Sequence, residues 1–319
     1  MIKSLLSEIE SDVIDIKVKK FDYIRTTSVP NRYDTTLTFE RGENKTGKEL
    51  ETCVLFVDIR NSVALNKKHT TQTMGRIYSI FTKSILKAAK YHKGHVRNII
   101  GDRVMIVFDP NNCFTNSIEC AYTINNISNI INSTFTAVDF KCGIGIDYGN
   151  LKVLKIGLHR RGSEVVDNKN LVWVGYPANI ASRLTDNANK TTIITKFNVT
   201  YKPNIDLSFL SSAPIFSPFS SGISPSIITD TLNQDEFCQK ISFENGKIKY
   251  TKGEFIKFTK IPSFKVFKKI LITKSVFLGY KNENSGHISI KENWWKIKKN
   301  HGIKDVNEEI YESSIQWTI

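Results

Sequence analysis

Two aspartates and an Asn–Arg pair are the residues whose types and spacing could do chemistry. Asp58 ends the apolar run CVLFVD, and Asp102 stands in a Gly-Asp turn after HVRNII. A carboxylate at the edge of a hydrophobic sheet is costly to desolvate unless something positive pairs with it. Singly, each aspartate fits a capping or turn role, since Gly-Asp is ordinary hairpin chemistry. Together they suit a hard divalent cation held by oxygen ligands and shared with a triphosphate. Asn179 and Arg183 are four residues apart in ANIASRL, so a helix there projects both from one face. The guanidinium fork suits phosphate, and the amide supplies a neutral polar group.

The surrounding sequence predicts the elements that hold these groups. CVLFVD (53–58) is a continuous apolar run, the pattern of a strand covered on both faces. Met74, Ile77, Phe81, Ile85 and Ala88 predict a helix over 70–91. HVRNII (95–100) and RVMIVF (103–108) predict a hairpin turning at Gly101-Asp102. Ile118, Tyr122, Ile127 and Ile131 predict a second long helix. Alternation from Val138 to Ile146 predicts a strand over 137–147, with LKVLKIG (151–157) as its hairpin partner across Tyr148-Gly149-Asn150. LVWVG (171–175) predicts a short strand, and 178–188 a helix entered after Pro177.

This order is that of an α+β domain with helices packed on a mixed, largely antiparallel sheet. Leu5, Ile9, Val13 and Ile16 predict an N-terminal helix, and a polar, irregular lead-in completes residues 1–50. Residues 51–200 form the expected core. Residues 201–319 are expected to complete the sheet and to leave room for an accessory or sensor domain. Within them the Ser- and Pro-rich stretch 209–226 reads as a loop, and Trp294, Trp295 and Trp317 read as core.

The chain has 319 residues, 40% hydrophobic and 24% charged, which excludes a disordered chain. Forty-five Lys+Arg against 31 Asp+Glu give a net charge of +14. That balance suits nucleic acid, a membrane surface or nucleotide phosphates, or else a solvated basic surface. Acidic residues interrupt the N-terminal apolar positions, so no signal-peptide core is expected. No apolar run is long enough to span a bilayer. The five cysteines form no CxxC pair and read as reduced thiols of a cytoplasmic protein.

In order and spacing these motifs resemble the class III nucleotide cyclase catalytic domain. The resemblance rests on VLFVDIRNSVAL (54–65), GHVRNIIGDRVMIVF (94–108), CGIGIDYGNLKVLKIG (142–157) and VGYPANIASRL (174–184). It covers roughly half the chain, and it implies the ferredoxin-like βαββαβ core of that family for 51–200. The phrases at 33–60 and 170–184 are most similar to the bacterial pyrimidine cyclases of Pycsar antiphage systems, which make cyclic nucleotide second messengers. The resemblance implies that Asp58 and Asp102, with the Ile59 carbonyl, bind two Mg²⁺ or Mn²⁺ ions. It implies that Asn179 and Arg183 hold the ribose and the transition-state phosphate. It also implies a head-to-tail homodimer whose sites mix the two subunits, a nucleoside triphosphate substrate, and a downstream effector that the enzyme does not contact directly.

Purine cyclases read the base with two side chains, at the positions here held by Asn98 and Val172. Val172 cannot hydrogen-bond, so the purine code is absent, while Asn98 could read uracil or cytosine. Arg97 and Trp173 lie beside these positions and would point inward if the register shifted by one. The expected reaction is therefore cyclisation of UTP, or of CTP. Adenylate or guanylate cyclisation and a silent cyclase-like binding module remain alternatives. A polymerase-like domain would give the Asn179/Arg183 helix no role. Arg60, after the metal aspartate, could touch phosphate but reads first as an exposed loop residue, and spacing does not choose a triphosphate-binding lysine among candidates that include Lys247, Lys249 and Lys252.

Overall fold

CVLFV lies in the middle of one long strand, β2 (Lys45–Ile59), whose residues 53–55 and 57 are buried. Burial on both faces explains the unbroken apolar run. The computed structural model describes residues 2–39, 42–157, 159–160, 163–164, 169–204, 226–299 and 301–318. The elements run α1 (Ile2–Val18), β1 (Phe21–Arg25), β2, α2 (Ser62–Lys68), α3 (Thr71–Tyr91), β3 (Gly94–Ile100), β4 (Arg103–Phe108), α4 (Cys113–Thr134) and β5 (Cys142–Ile156). A two-residue ribbon, β6 (His159–Arg160) with β7 (Ser163–Glu164), precedes β8 (Asn170–Val174) and α5 (Tyr176–Asn187).

The chain divides into two units, Met1–Lys190 with Phe267–Ile319, and Thr191–Val266. The first is completed by β14 (Ile270–Thr273), α7 (Lys274–Glu283), α8 (Ile288–Lys291), β15 (Lys296–Lys298) and β16 (Ile310–Ser313). The second holds β9 (Thr191–Pro203), β10 (Ile228–Leu232), α6 (Gln234–Lys240), β11 (Ile241–Glu244), β12 (Lys247–Tyr250) and β13 (Gly253–Val266). It is an antiparallel sheet in the order β10-β9-β13-β12-β11 around Val199, Tyr201, Leu232 and Tyr250. The boundaries expected at 50 and 200 fall inside β2 and β9. Residues 209–225 of the expected loop lie outside the described residues.

In the first unit the described strands form a sheet in the order β15-β16-β14-β5-β2-β4-β3, with β1 on β2 and β8 on β5. β1–β2 and β14–β5 are parallel and the other pairs antiparallel. The βαββαβ core, β2-α3-β3-β4-α4-β5, is as expected. Its helix-covered face buries Ile77, Phe81 and Ile85 of α3 and Ile118 and Ile124 of α4. Each such side chain contributes about 1.5–3 kcal/mol. Trp295 joins this core, whereas Trp294 and Trp317 are partly exposed, Trp317 donating its indole N–H to Thr123.

Two expectations need correction, and a third element forms as expected but with an exposed apolar side. The lead-in is not wholly irregular: β2 starts at Lys45 and pairs in parallel with β1. The expected hairpin at Tyr148-Gly149-Asn150 is absent, because β5 runs straight through and pairs with β2 from Lys48↔Val153 to Ile59↔Cys142. A long cross-strand ladder overrides a local turn signal. The N-terminal helix forms, but Leu5, Ile9, Val13 and Ile16 are exposed.

Candidate active site

β2 and β4 pair antiparallel with Asp58 opposite Arg103. The β3–β4 hairpin turns over Gly101-Asp102, with Gly101 at φ 60°, as a two-residue Gly-X loop requires. Asp58 and Asp102 thus occupy the same end of neighbouring strands. Alternation sets Val54, Phe56 and Asp58 on one face of β2 and Leu55, Val57 and the buried Ile59 on the helix-covered face.

Asp58 is largely buried and ion-paired. Arg103 reaches its Oδ2 at 2.7 Å, and Arg60 lies 4.0 Å away. Arg60 is not the exposed loop residue expected: it is buried and donates to the Thr185 carbonyl. Burial lowers its pKa, opposed by the charge of Asp58. Asp102 is half-buried, and its carboxylate has no ionic or hydrogen-bonded partner among the described residues. Two hard oxygen donors at one strand edge, one of them unengaged, fit a Mg²⁺ or Mn²⁺ ion. No larger cluster of His, Cys, Asp or Glu that could hold a metal exists among the described residues.

α5 lies across the Asp58 face. Pro177 opens its first turn, and Ala178, Ile180, Ala181, Leu184 and Thr185 are its buried side. The close approach needs Gly145, where a Cβ would run into the Ala181 carbonyl. Asn179 is exposed and Arg183 is half-buried on the outer side, where Arg183 pairs with Asp305 at 2.6 Å. The chain therefore places Asp58 and Asp102 at the same end of neighbouring strands and turns Asn179 outward.

The base-reading positions divide. Asn98 pairs with Met105, on the Asp58 face, but is exposed. A bulge between Val96 and Asn98 adds Arg97. Val172 pairs with Leu154, which puts it on the other face, while its neighbours Leu171 and Trp173 pack with Val54 and Met105. Arg97 and Trp173 line a polar pocket of about 320 Å³ with Asn31, Arg32, Tyr33 and Asn170. Arg97 Nε and Trp173 Nε1 are buried donors with no partner among the described residues. Burial lowers the Arg97 pKa, opposed by Asp109. The Val29 N–H donates to Asp109 at 2.7 Å and its carbonyl accepts from Arg97 at 3.3 Å, which ties the Asn31–Tyr33 strap to this pocket. Those strap residues carry no periodicity, and the sequence reading missed them. Lys249 and Lys252 pair with Glu244 and Asp230 within the second unit.

A βαββαβ sheet with paired aspartates beside the β3–β4 hairpin and an Asn-x-x-x-Arg helix following β8 is the arrangement of a class III nucleotide cyclase. The sequence is 34% identical over 183 residues to a uridylate cyclase of Burkholderia cepacia, covering 55% of this chain and 75% of that protein. It is 24% identical over 205 residues to a uridylate cyclase of Rhodovulum sp. (strain MB263), covering 60% and 80%. No family model matches. A solved structure, the guanylyl cyclase Cya2, aligns with 85% of this chain and 95% of its own at 12% identity and a TM-score of 0.48. The chain belongs to the class III cyclase family that includes these bacterial uridylate cyclases, and it is a nucleotide cyclase. No helix among the described residues is long and apolar enough to cross a membrane.

Proposed function

We propose that the protein cyclises a pyrimidine nucleoside triphosphate, UTP ahead of CTP, to the 3′,5′-cyclic nucleotide and pyrophosphate. The observation that carries the base assignment is the polar pocket lined by Arg97 and Trp173, two residues whose Nε and Nε1 donors are buried with no partner among the described residues. Uracil presents carbonyl acceptors at O2 and O4. Cytosine replaces O4 with an amine, itself a donor, which would leave one buried N–H facing another. The uridylate cyclases among the relatives agree with this reading.

Asp58 and Asp102, with the Ile59 carbonyl, are the groups that would hold two divalent cations. When bound, these ions supply activation of the ribose 3′-hydroxyl and charge neutralisation on the leaving pyrophosphate. Arg183 exchanges Asp305 for the α-phosphate and stabilises charge on the pentavalent phosphorus. Asn179 orients the ribose so that the 3′-hydroxyl lies in line with that phosphorus. The outward direction of Asn179 supports a head-to-tail homodimer in which α5 of one subunit completes the Asp58/Asp102 site of the other. The product serves as a second messenger in antiphage defence, read by a separate effector in the cytoplasm.

The test is direct. Purified protein with Mn²⁺ and all four ribonucleoside triphosphates in competition should yield cyclic UMP as the main product by mass. Equal or better conversion of ATP would overturn the pyrimidine reading, and no cyclic product from any nucleotide would overturn the activity.

A further inference from the structure

Arg103 follows Asp102 in the chain and faces Asp58 across the β2–β4 ladder. Its guanidinium serves three groups at once. It donates to Asp58 Oδ2 at 2.7 Å and to Ser182 Oγ at 3.0 Å, and it pairs with Asp186. Ser182 and Asp186 are four residues apart on α5, so both reach the same guanidinium. The two proposed metal carboxylates therefore start unequal: Asp58 is neutralised by a resident cation, while Asp102 is unengaged.

A divalent cation on the Asp58 carboxylate and a guanidinium 2.7 Å from its Oδ2 repel each other, which favours their separation. Arg60 cannot relieve the conflict by leaving, since it is buried and tied to the Thr185 carbonyl. Arg103 can. It is 28% exposed, and Asp186 with Ser182 already hold the same group, so leaving Asp58 strands no unpaired charge.

We infer that Arg103 is a displaceable internal counter-ion. It occupies Asp58 before metal loading and passes to Asp186 when the cation binds, so the Arg103–Asp186 pair sets the metal affinity of the site. The inference rests on the reading of Asp58 as a metal ligand. Arg103 acts through Asp58 and is a positioning residue.

The test is Mn²⁺ binding to the full-length protein without nucleotide, by calorimetry and by electron paramagnetic resonance of free Mn²⁺. Arg103→Ala should tighten binding by about tenfold, since one nearby positive charge is removed. Arg103→Lys keeps that charge and should bind like the wild type. Asp186→Asn, at an exposed site, removes the acceptor and should weaken binding several-fold. In the Arg103→Ala background that weakening should largely vanish, because Asp186 acts through Arg103. Unchanged or weaker Mn²⁺ binding by folded Arg103→Ala overturns the inference. So does an Asp186→Asn effect that is equally large with and without Arg103, which would be simple loss of negative charge. If Arg103→Ala fails to fold, unaltered binding by Asp186→Asn is sufficient to overturn it. Asp58→Asn separates the two readings: wild-type Mn²⁺ affinity there would remove the metal site itself, and the counter-ion role with it.

Discussion

Arg183 on the outer side of α5 holds Asp305 at 2.6 Å, with the two side chains 40% and 54% exposed. At that exposure an ion pair is worth about 1 kcal/mol or less. Arg183 is thus ordered yet readily released to a phosphate. If Arg183 serves the neighbouring subunit's site, each homodimeric variant of Asp58→Asn or Arg183→Ala has two damaged sites. Mixing them gives heterodimers with one intact site and one doubly damaged site. Activity should return after subunit exchange, toward about half of wild type per heterodimer. Silence after verified exchange would place each site within a single chain. Asp305→Asn should cost far less activity than Arg183→Ala.

The two aspartates should separate by stability even though both are needed for turnover. Asp58→Asn leaves Arg103 and the buried Arg60 with a weakened counter-charge and should lower stability by about 1–3 kcal/mol. Asp102→Asn removes no partner and should stay within about 0.5 kcal/mol of wild type. Both should lower kcat by roughly a thousandfold or more, since each removes several kcal/mol of charge stabilisation. Thermal denaturation read beside initial rates checks both halves. Near-normal turnover in either folded variant would contradict the two-aspartate site.

Trp173→Phe deletes one donor and keeps most of the ring. It should narrow the preference for UTP over CTP by roughly tenfold, the worth of one buried hydrogen bond, with little change in Mn²⁺ dependence. Arg97→Met should do the same and should also loosen the strap at Val29, whose carbonyl Arg97 holds. Asn98→Ala, at an exposed position, should change selectivity less than either. Competition assays with UTP and CTP together measure all three.

The legible part of this protein is the part made by burial and local chemistry. The CVLFV strand, α3, α4, the Gly101-Asp102 hairpin and the Pro177-led helix each carry their own signal in consecutive residues. Gly149-Asn150 misleads because a turn-like dipeptide is held flat by Thr52 and Glu51 on β2. The strap at Asn31–Tyr33 was not legible, because its anchor Val29 is fixed by Asp109 and Arg97 from 80 and 68 residues away. The choice of Trp173 over Val172 depends on the register of β8 against β5, which one residue of slip would invert. Arg103 follows a motif aspartate, yet its role needs the cross-strand pairing with Asp58 to become visible.

Asp147 offers a test of the fold that is separate from catalysis. It stands on β5, 1% exposed, and accepts a hydrogen bond from the Thr273 hydroxyl of β14 at 2.7 Å, while Oδ2 has no hydrogen-bond partner among the described residues. Burial pushes its pKa up to about 6, against the lowering effect of the Thr273 hydroxyl and the Tyr148 N–H. The folded chain therefore holds this proton at pH values where the unfolded chain has released it. The resulting stability is fully present below about pH 4 and is lost as pH rises through about 6. A shift of that size corresponds to about 3 kcal/mol at most. Asp147→Asn keeps an acceptor for Thr273 and cannot ionise. Relative to wild type it should gain stability steadily between about pH 4 and about pH 6 and level off above that. Chemical denaturation of both proteins across that range measures the difference, in which other titrating groups largely cancel. A difference independent of pH would show that the folded chain does not hold the Asp147 proton beyond the pH at which the unfolded chain releases it.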